Sequence, residues 1–166
     1  MKSKHYGAYI NDQEFEMYKK SPEDFVANYI TENEQNNVLS SSEAYSLVLI
    51  KAIEKKDISV VESILSLQHD GNILVNIDSL GDTAIYKLLL SGSDALLALV
   101  ANYIASNSEI IKLDISDENI DELCSVIELP QGNLTPQNIM DTYITPLYTS
   151  ESIDKIIKCC GETLDY

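Results

Sequence analysis

Apolar residues along this chain recur three and four positions apart, and polar or glycine-bearing breaks cut the pattern into short amphipathic segments, which predicts helix after helix. In SPEDFVANYI, Ser21 is placed to cap a helix, Pro22 takes its first position, and Glu23 and Asp24 face the positive end of its dipole. Phe25, Val26, Tyr29 and Ile30 then share one face. The polar stretch NEQNNVLSSSE reads as a connector, with the next helix starting near Glu43 and carrying Leu47, Val48 and Ala52 inward. A break near Lys56–Asp57 precedes ISVVESILSL, again apolar at helical spacing. QHDGNILVNIDSLGD is turn-rich, and NILVNI within it is the one strand candidate, a short one. Helices are expected from about Thr83 to a break at SGSD, and from Asp94 to about Ser106. Further on, SDENIDELCSVIE has Ser116 as cap and Ile120, Leu123, Cys124 and Ile127 on one face. TPQNIMDTYI opens with Thr135 and Pro136 and is stopped by Pro146. SESIDKIIKCCG carries Lys155 and Lys158 near its C-terminal end and stops at Gly161.

Two of these helix pairs follow each other with a matching pattern. Offsetting the chain by about 36 residues pairs Leu49 with Ile85, Ala52 with Leu88, Val60 with Leu96, Val61 with Leu97, and Ile64 with Val100. The connecting DSLGDTAIY resembles the ankyrin repeat, in which an aspartate and a glycine shape a turn before the first helix. Asp78 and Gly81 fill those turn positions, Thr83 starts the helix, and Gly92 stands at the glycine between helices. Gly81 and Gly92 supply backbone freedom, and Thr83 supplies a capping hydroxyl. The likeness covers about residues 43–106. It implies a single all-α domain, with N-terminal capping helices over 1–42, ankyrin-like repeats over 43–106 and a C-terminal helical cap over 107–166. Departures are plain: Leu88–Leu89 replaces the family's small alanine pair, the motif's histidine is missing, and no third unit follows Ser106. TPLY at Thr145–Tyr148 only imitates the motif. A helical bundle carrying DxxGxT by chance is the alternative.

Charge changes the picture of function. The 166 residues carry 27 acids against 11 lysines and no arginine, for a formal net charge of −16. Without arginine or a positive footprint, DNA and RNA binding are disfavoured, as is attraction to an anionic membrane. A negative field of this size keeps a protein soluble and speeds its encounter with basic surfaces. Residues 71–166 hold 15 acids and four lysines, and Asp114, Asp117, Glu118, Asp121 and Glu122 form a block with no lysine inside it. Ten tyrosines add rings suited to interfaces. Tyr6, Tyr9 and Tyr18 near the N-terminus and Tyr86 and Tyr103 near the repeat-like segment are the candidates.

Catalytic signatures are missing. There is no glycine-rich phosphate loop, no GxSxG and no HExxH. Asp117, Asn119, Asp121 and Glu128 match EF-hand positions, but Glu122 stands where the loop needs glycine, and the same residues make an amphipathic helix. Cys124, Cys159 and Cys160 form no disulfide framework and suit a reducing cytosol. They lack the spaced pairs of a zinc site, and His5 and His69 lie far from them in sequence. Buried thiols on apolar helix faces are the reading of all three. No apolar run marks a signal segment or a membrane span.

The expectation is therefore a non-enzymatic protein-interaction module without cofactor or metal. It binds a protein partner with a basic surface and inhibits or regulates it, in the bacterial cytosol, or in a host cytosol after delivery by a secretion system. Its acidity and size look similar to those of bacterial immunity proteins and small regulators of secreted effectors. The alternatives are an acidic DNA mimic that occupies a nucleic-acid-binding protein, and a cysteine- or metal-dependent enzyme.

Overall fold

The computed structural model describes residues 10–33, 37–67, 78–109 and 111–161, and among these the chain is all-α. NILVNI, His5, His69, Tyr6 and Tyr9 lie outside the described residues. Helix α1 spans Asp12–Lys20 and opens with a capping box that the periodicity alone does not reveal. Asn11 Oδ1 accepts from the Glu14 N–H at 2.8 Å, and Glu14 Oε1 accepts from the Asn11 N–H at 2.8 Å. Helix α2, Pro22–Asn33, follows directly.

Helix α3 runs Asn37–Lys55 and so begins before Glu43, within the stretch read as a connector. Glu43 and Ser46 are buried in its middle. The polar composition there disfavours a helix only weakly, a preference that tertiary context readily overrides, and α3 as a whole packs against α2. The boundary drawn at residue 43 accordingly falls inside a helix. Helix α4, Ile58–Leu65, is capped by Asp57, whose Oδ1 accepts from the Val60 N–H at 3.3 Å.

Helix α5 spans Asp78–Ser91, not from Thr83 as expected. Asp78 and Gly81 thus lie in its first turns rather than in a turn before it, and Thr83 is an interior residue rather than its cap. Gly81 is buried within the helix and is not among the residues with a left-handed backbone. Leu88 and Leu89 are fully buried. Helix α6, Asp94–Asn107, is capped by Ser93. A 3-10 turn at Asp117–Asn119 leads into α7, Ile120–Glu128. Helix α8, Pro136–Ile139, is capped by Thr135 and widens into a π turn over Met140–Ile144. Helix α9, Ser150–Cys159, is capped by Thr149.

These helices stack in pairs. α3 packs on α5 and α4 on α6, first helix on first and second on second. Residues 111–161 extend the pattern, because α7 packs on α5 and the π turn after α8 packs on α6. Spatially, then, a third helix pair follows Ser106, although no repeat signature marks it in the sequence. α9 closes the stack against α7.

Each pair turns through a left-handed residue: Lys56 at φ 56°, Gly92 at φ 65° and Gly132 at φ 62°. At the first turn the Asp57 N–H donates to the Ala52 carbonyl at 2.9 Å and the Lys56 N–H to the Ile53 carbonyl at 3.0 Å, the Schellman arrangement. The second and third turns touch, since a Cβ on Gly132 would meet the Gly92 carbonyl oxygen at 3.3 Å.

One continuous apolar core runs from Ile10 to Cys160. An isolated parallel bridge, Leu113 to Tyr148, ties the segment before α7 to the segment before α9. Among the described residues no helix is long and apolar enough to cross a membrane.

Candidate functional site

The acidic block sits on the segment that enters α7. Asp114, Asp117, Glu118, Asp121 and Glu122 are all exposed, with the Asp117 side chain 81 % accessible. Asp117–Asn119 forms the 3-10 turn and Ile120–Glu128 the helix, so the EF-hand-like spacing lies on helical backbone and not on a loop. The carboxylates of the first turn, Asp121 and Glu122, stand at the positive end of the α7 dipole, where negative charge interacts favourably with the unpaired backbone N–H groups.

Among the described residues, ion pairs gather on the N-terminal half: Lys51 and Lys55 with Asp12 at 3.0 and 3.3 Å, Lys19 with Asp57 at 3.5 Å, and Lys87 with Glu54 at 2.8 Å. Beside the block, Lys155 Nζ meets Asp117 Oδ1 at 3.2 Å. Residues 111–161 expose nine acids against three lysines, so this half keeps most of its negative field.

A buried polar node holds that segment in place. Asp82, 2 % exposed on α5, accepts from the Tyr148 hydroxyl at 2.6 Å, the Ser116 N–H at 2.9 Å and Asn119 Nδ2 at 3.1 Å. It therefore joins the middle helix pair, the start of the 3-10 turn and the bridge residue Tyr148. Two further bonds fix the same strip. The Ile115 N–H donates to Ser152 Oγ at 2.9 Å, and the Thr149 hydroxyl donates to Asp114 Oδ1 at 2.9 Å. Burying a carboxylate is costly unless its oxygens are bonded, and here donors from distant parts of the chain meet that need.

The tyrosines divide. Tyr18, nominated for an interface, is buried, edge-on to Phe25 at 5.9 Å and to Tyr45 at 6.4 Å. Burial pushes its hydroxyl up to about 12. Tyr86 and Tyr103 are part-buried and pack against the core, so only part of each side chain is accessible to a partner. Tyr143 is buried and donates to the Leu97 carbonyl at 2.9 Å.

The three cysteines converge. Cys124 comes from the inner face of α7, and Cys159 and Cys160 from the end of α9. Their Sγ atoms all lie within 4.8 Å of one another. Cys124 and Cys160 are buried and Cys159 is exposed, and all are free thiols. Cys124 donates to the Ile156 carbonyl at 3.8 Å, and Cys159 lies 4.0 Å from Asp121 Oδ1. Burial pushes the Cys160 thiol up to about 11, and burial together with bonds to the other two thiols raises Cys124 as well. Buried thiols held in the neutral form are poor nucleophiles.

The reading of all three as buried residues on apolar faces thus fails for Cys159. The clustering was missed because the cysteines are separated in sequence and meet only through the packing of α7 on α9. The one available signal was that Cys124 shares a face with Leu123 and Ile127. Asp82 carried no sequence signal at all.

Compared with protein-family models, with curated protein sequences and with solved structures, the chain matches none.

Proposed function

We propose that this chain is a protein-binding module that inhibits or regulates a partner with a basic surface, using the acidic edge formed by Asp114, Asp117, Glu118, Asp121 and Glu122. The observation that carries the reading is the exposure of five carboxylates within nine residues, held on a strip anchored by Asp82, of which Asp117 pairs with Lys155 among the described residues. Such an edge steers a cationic partner during encounter and loses that influence as salt rises. Tyr86 and Tyr103 add part-exposed rings to the middle helix pair. The stacked pairs support a repeat-type scaffold of the ankyrin-like kind, whose turn-side and helix faces suit a protein ligand. No reaction is assigned to the chain. We place its action in a cytosol, as an immunity-type inhibitor or a regulator of a secreted effector.

The test compares the natural chain with a variant carrying Asp117→Asn, Glu118→Gln, Asp121→Asn and Glu122→Gln. Each serves as bait in lysate of the producing cell and, separately, in a eukaryotic lysate. A partner held stoichiometrically by the natural chain, lost from the variant, and bound more slowly at higher salt supports the reading. Equal association at low and high salt refutes the acidic mechanism, and capture of nucleic-acid-binding proteins displaced by DNA points to DNA mimicry instead.

A further inference from the structure

We propose that Cys124, Cys159 and Cys160 form a three-thiolate site for a thiophilic d10 cation of the zinc(II) type, with Asp121 on its solvent side. The geometry is close to what such an ion requires. Three sulfurs tetrahedral about zinc at about 2.3 Å stand about 3.8 Å apart, and here all three lie within 4.8 Å of one another before any ion draws them in. Rotamer adjustment of Cys159, the exposed member at the end of α9, takes up the difference. Two sulfurs are buried among apolar side chains, which keeps competing water away, and the exposed third gives the ion its way in.

Asp121 lies three residues before Cys124, on the same face of α7. Its Oδ1 is 4.0 Å from Cys159 Sγ. Its carboxylate stands outside the cluster of three sulfurs, so it supplies the fourth position through a bridging water or after its side chain rotates inward, a donor set of three sulfurs and one oxygen that zinc accepts.

Two simpler accounts fall short. Packing of small apolar side chains explains the buried Cys124 and Cys160, but it does not explain why the exposed Cys159 turns onto them beside a carboxylate. A disulfide between the adjacent Cys159 and Cys160 is disfavoured, because neighbouring Cα atoms stand about 3.8 Å apart, short of the usual 4.4–6.8 Å span. Loading replaces three thiol protons with one cation and needs no oxidant. The bound ion would pin α7 to α9 at the edge of the acidic block. The assignment does not rest on the partner-binding reading, since its test detects the ion and not a partner.

The experiment uses the full chain, fully reduced, with three free thiols verified under denaturing conditions, titrated with cobalt(II) and then zinc(II). The expected result is saturation at one equivalent of cobalt, with thiolate-to-cobalt charge-transfer absorption and tetrahedral ligand-field bands that one equivalent of zinc bleaches. Cys159→Ser alters an exposed residue and keeps the helical circular dichroism. Cobalt affinity in that variant should fall by more than about 100-fold, and in Asp121→Asn by about tenfold. Absence of the charge-transfer absorption from the reduced, folded chain overturns the proposal. So does a spectrum undiminished in Cys159→Ser.

Discussion

The Asp82–Tyr148 hydrogen bond is the contact whose removal says most about how this chain is assembled. Its partners lie 66 residues apart, and it links the middle helix pair to the strip that carries the acidic block. Tyr148→Phe removes a buried hydroxyl with little change of volume and with it one hydrogen bond to the Asp82 carboxylate, a bond to a charged group worth about 1.5–3 kcal/mol. Asp82→Ala also strips the acceptor from the Ser116 N–H and Asn119 Nδ2. Each orphaned donor costs about 1–3 kcal/mol where water cannot replace the partner. Ser116 and Asn119 are only part-buried, which puts the total for Asp82→Ala at about 3–5 kcal/mol. The double variant should be less unstable than the sum of the two, by a coupling of about 1–3 kcal/mol. Urea unfolding of the four proteins, followed by circular dichroism, gives that coupling directly. Additivity within about 0.5 kcal/mol would mean that the two side chains act independently. The claim that this bond fastens the acidic strip to the helix stack would then be wrong.

Two other outcomes follow from local geometry. Lys56 holds a left-handed backbone at φ 56°, a conformation that costs a residue with a Cβ about 1–2 kcal/mol. Lys56→Gly should therefore raise the urea midpoint, by the equivalent of about 0.5–1 kcal/mol once the extra freedom of glycine in the unfolded chain is deducted, whereas Gly92→Ala should lower it. The hydrogen bond from Lys51, then that from Lys55, holds the Asp12 carboxyl below its ordinary value. A depressed value means that the unfolded chain binds the proton first, so the contribution is full above the ordinary carboxylate value and is lost as pH falls through the folded one. Asp12→Asn should therefore lose a little stability at neutral pH and none at strongly acid pH. An equal loss at both, read by thermal unfolding, would contradict the pairing.

Helical periodicity determined the all-α class by itself, because amphipathic spacing and caps such as Thr135 with Pro136 act within a few residues and survive in any tertiary context. Composition determined the negative field in the same direct way, since charge is additive along a chain. Element limits were less legible. Helix α3 begins at Asn37, within the polar stretch before Glu43, and the residues before Thr83 continue as helix, so the expected turn at Asp78–Gly81 is absent. The 36-residue offset was legible and places Lys56 opposite Gly92, yet that Lys56 shares the left-handed turn emerged only from the backbone. Tertiary structure alone decided the third helix pair, the burial of Asp82 and the meeting of Cys124 with Cys159 and Cys160. Each depends on residues tens of positions apart being brought together by core packing. A lone aspartate or cysteine carries no sequence mark of the neighbour it will meet, so only the folded chain discloses it.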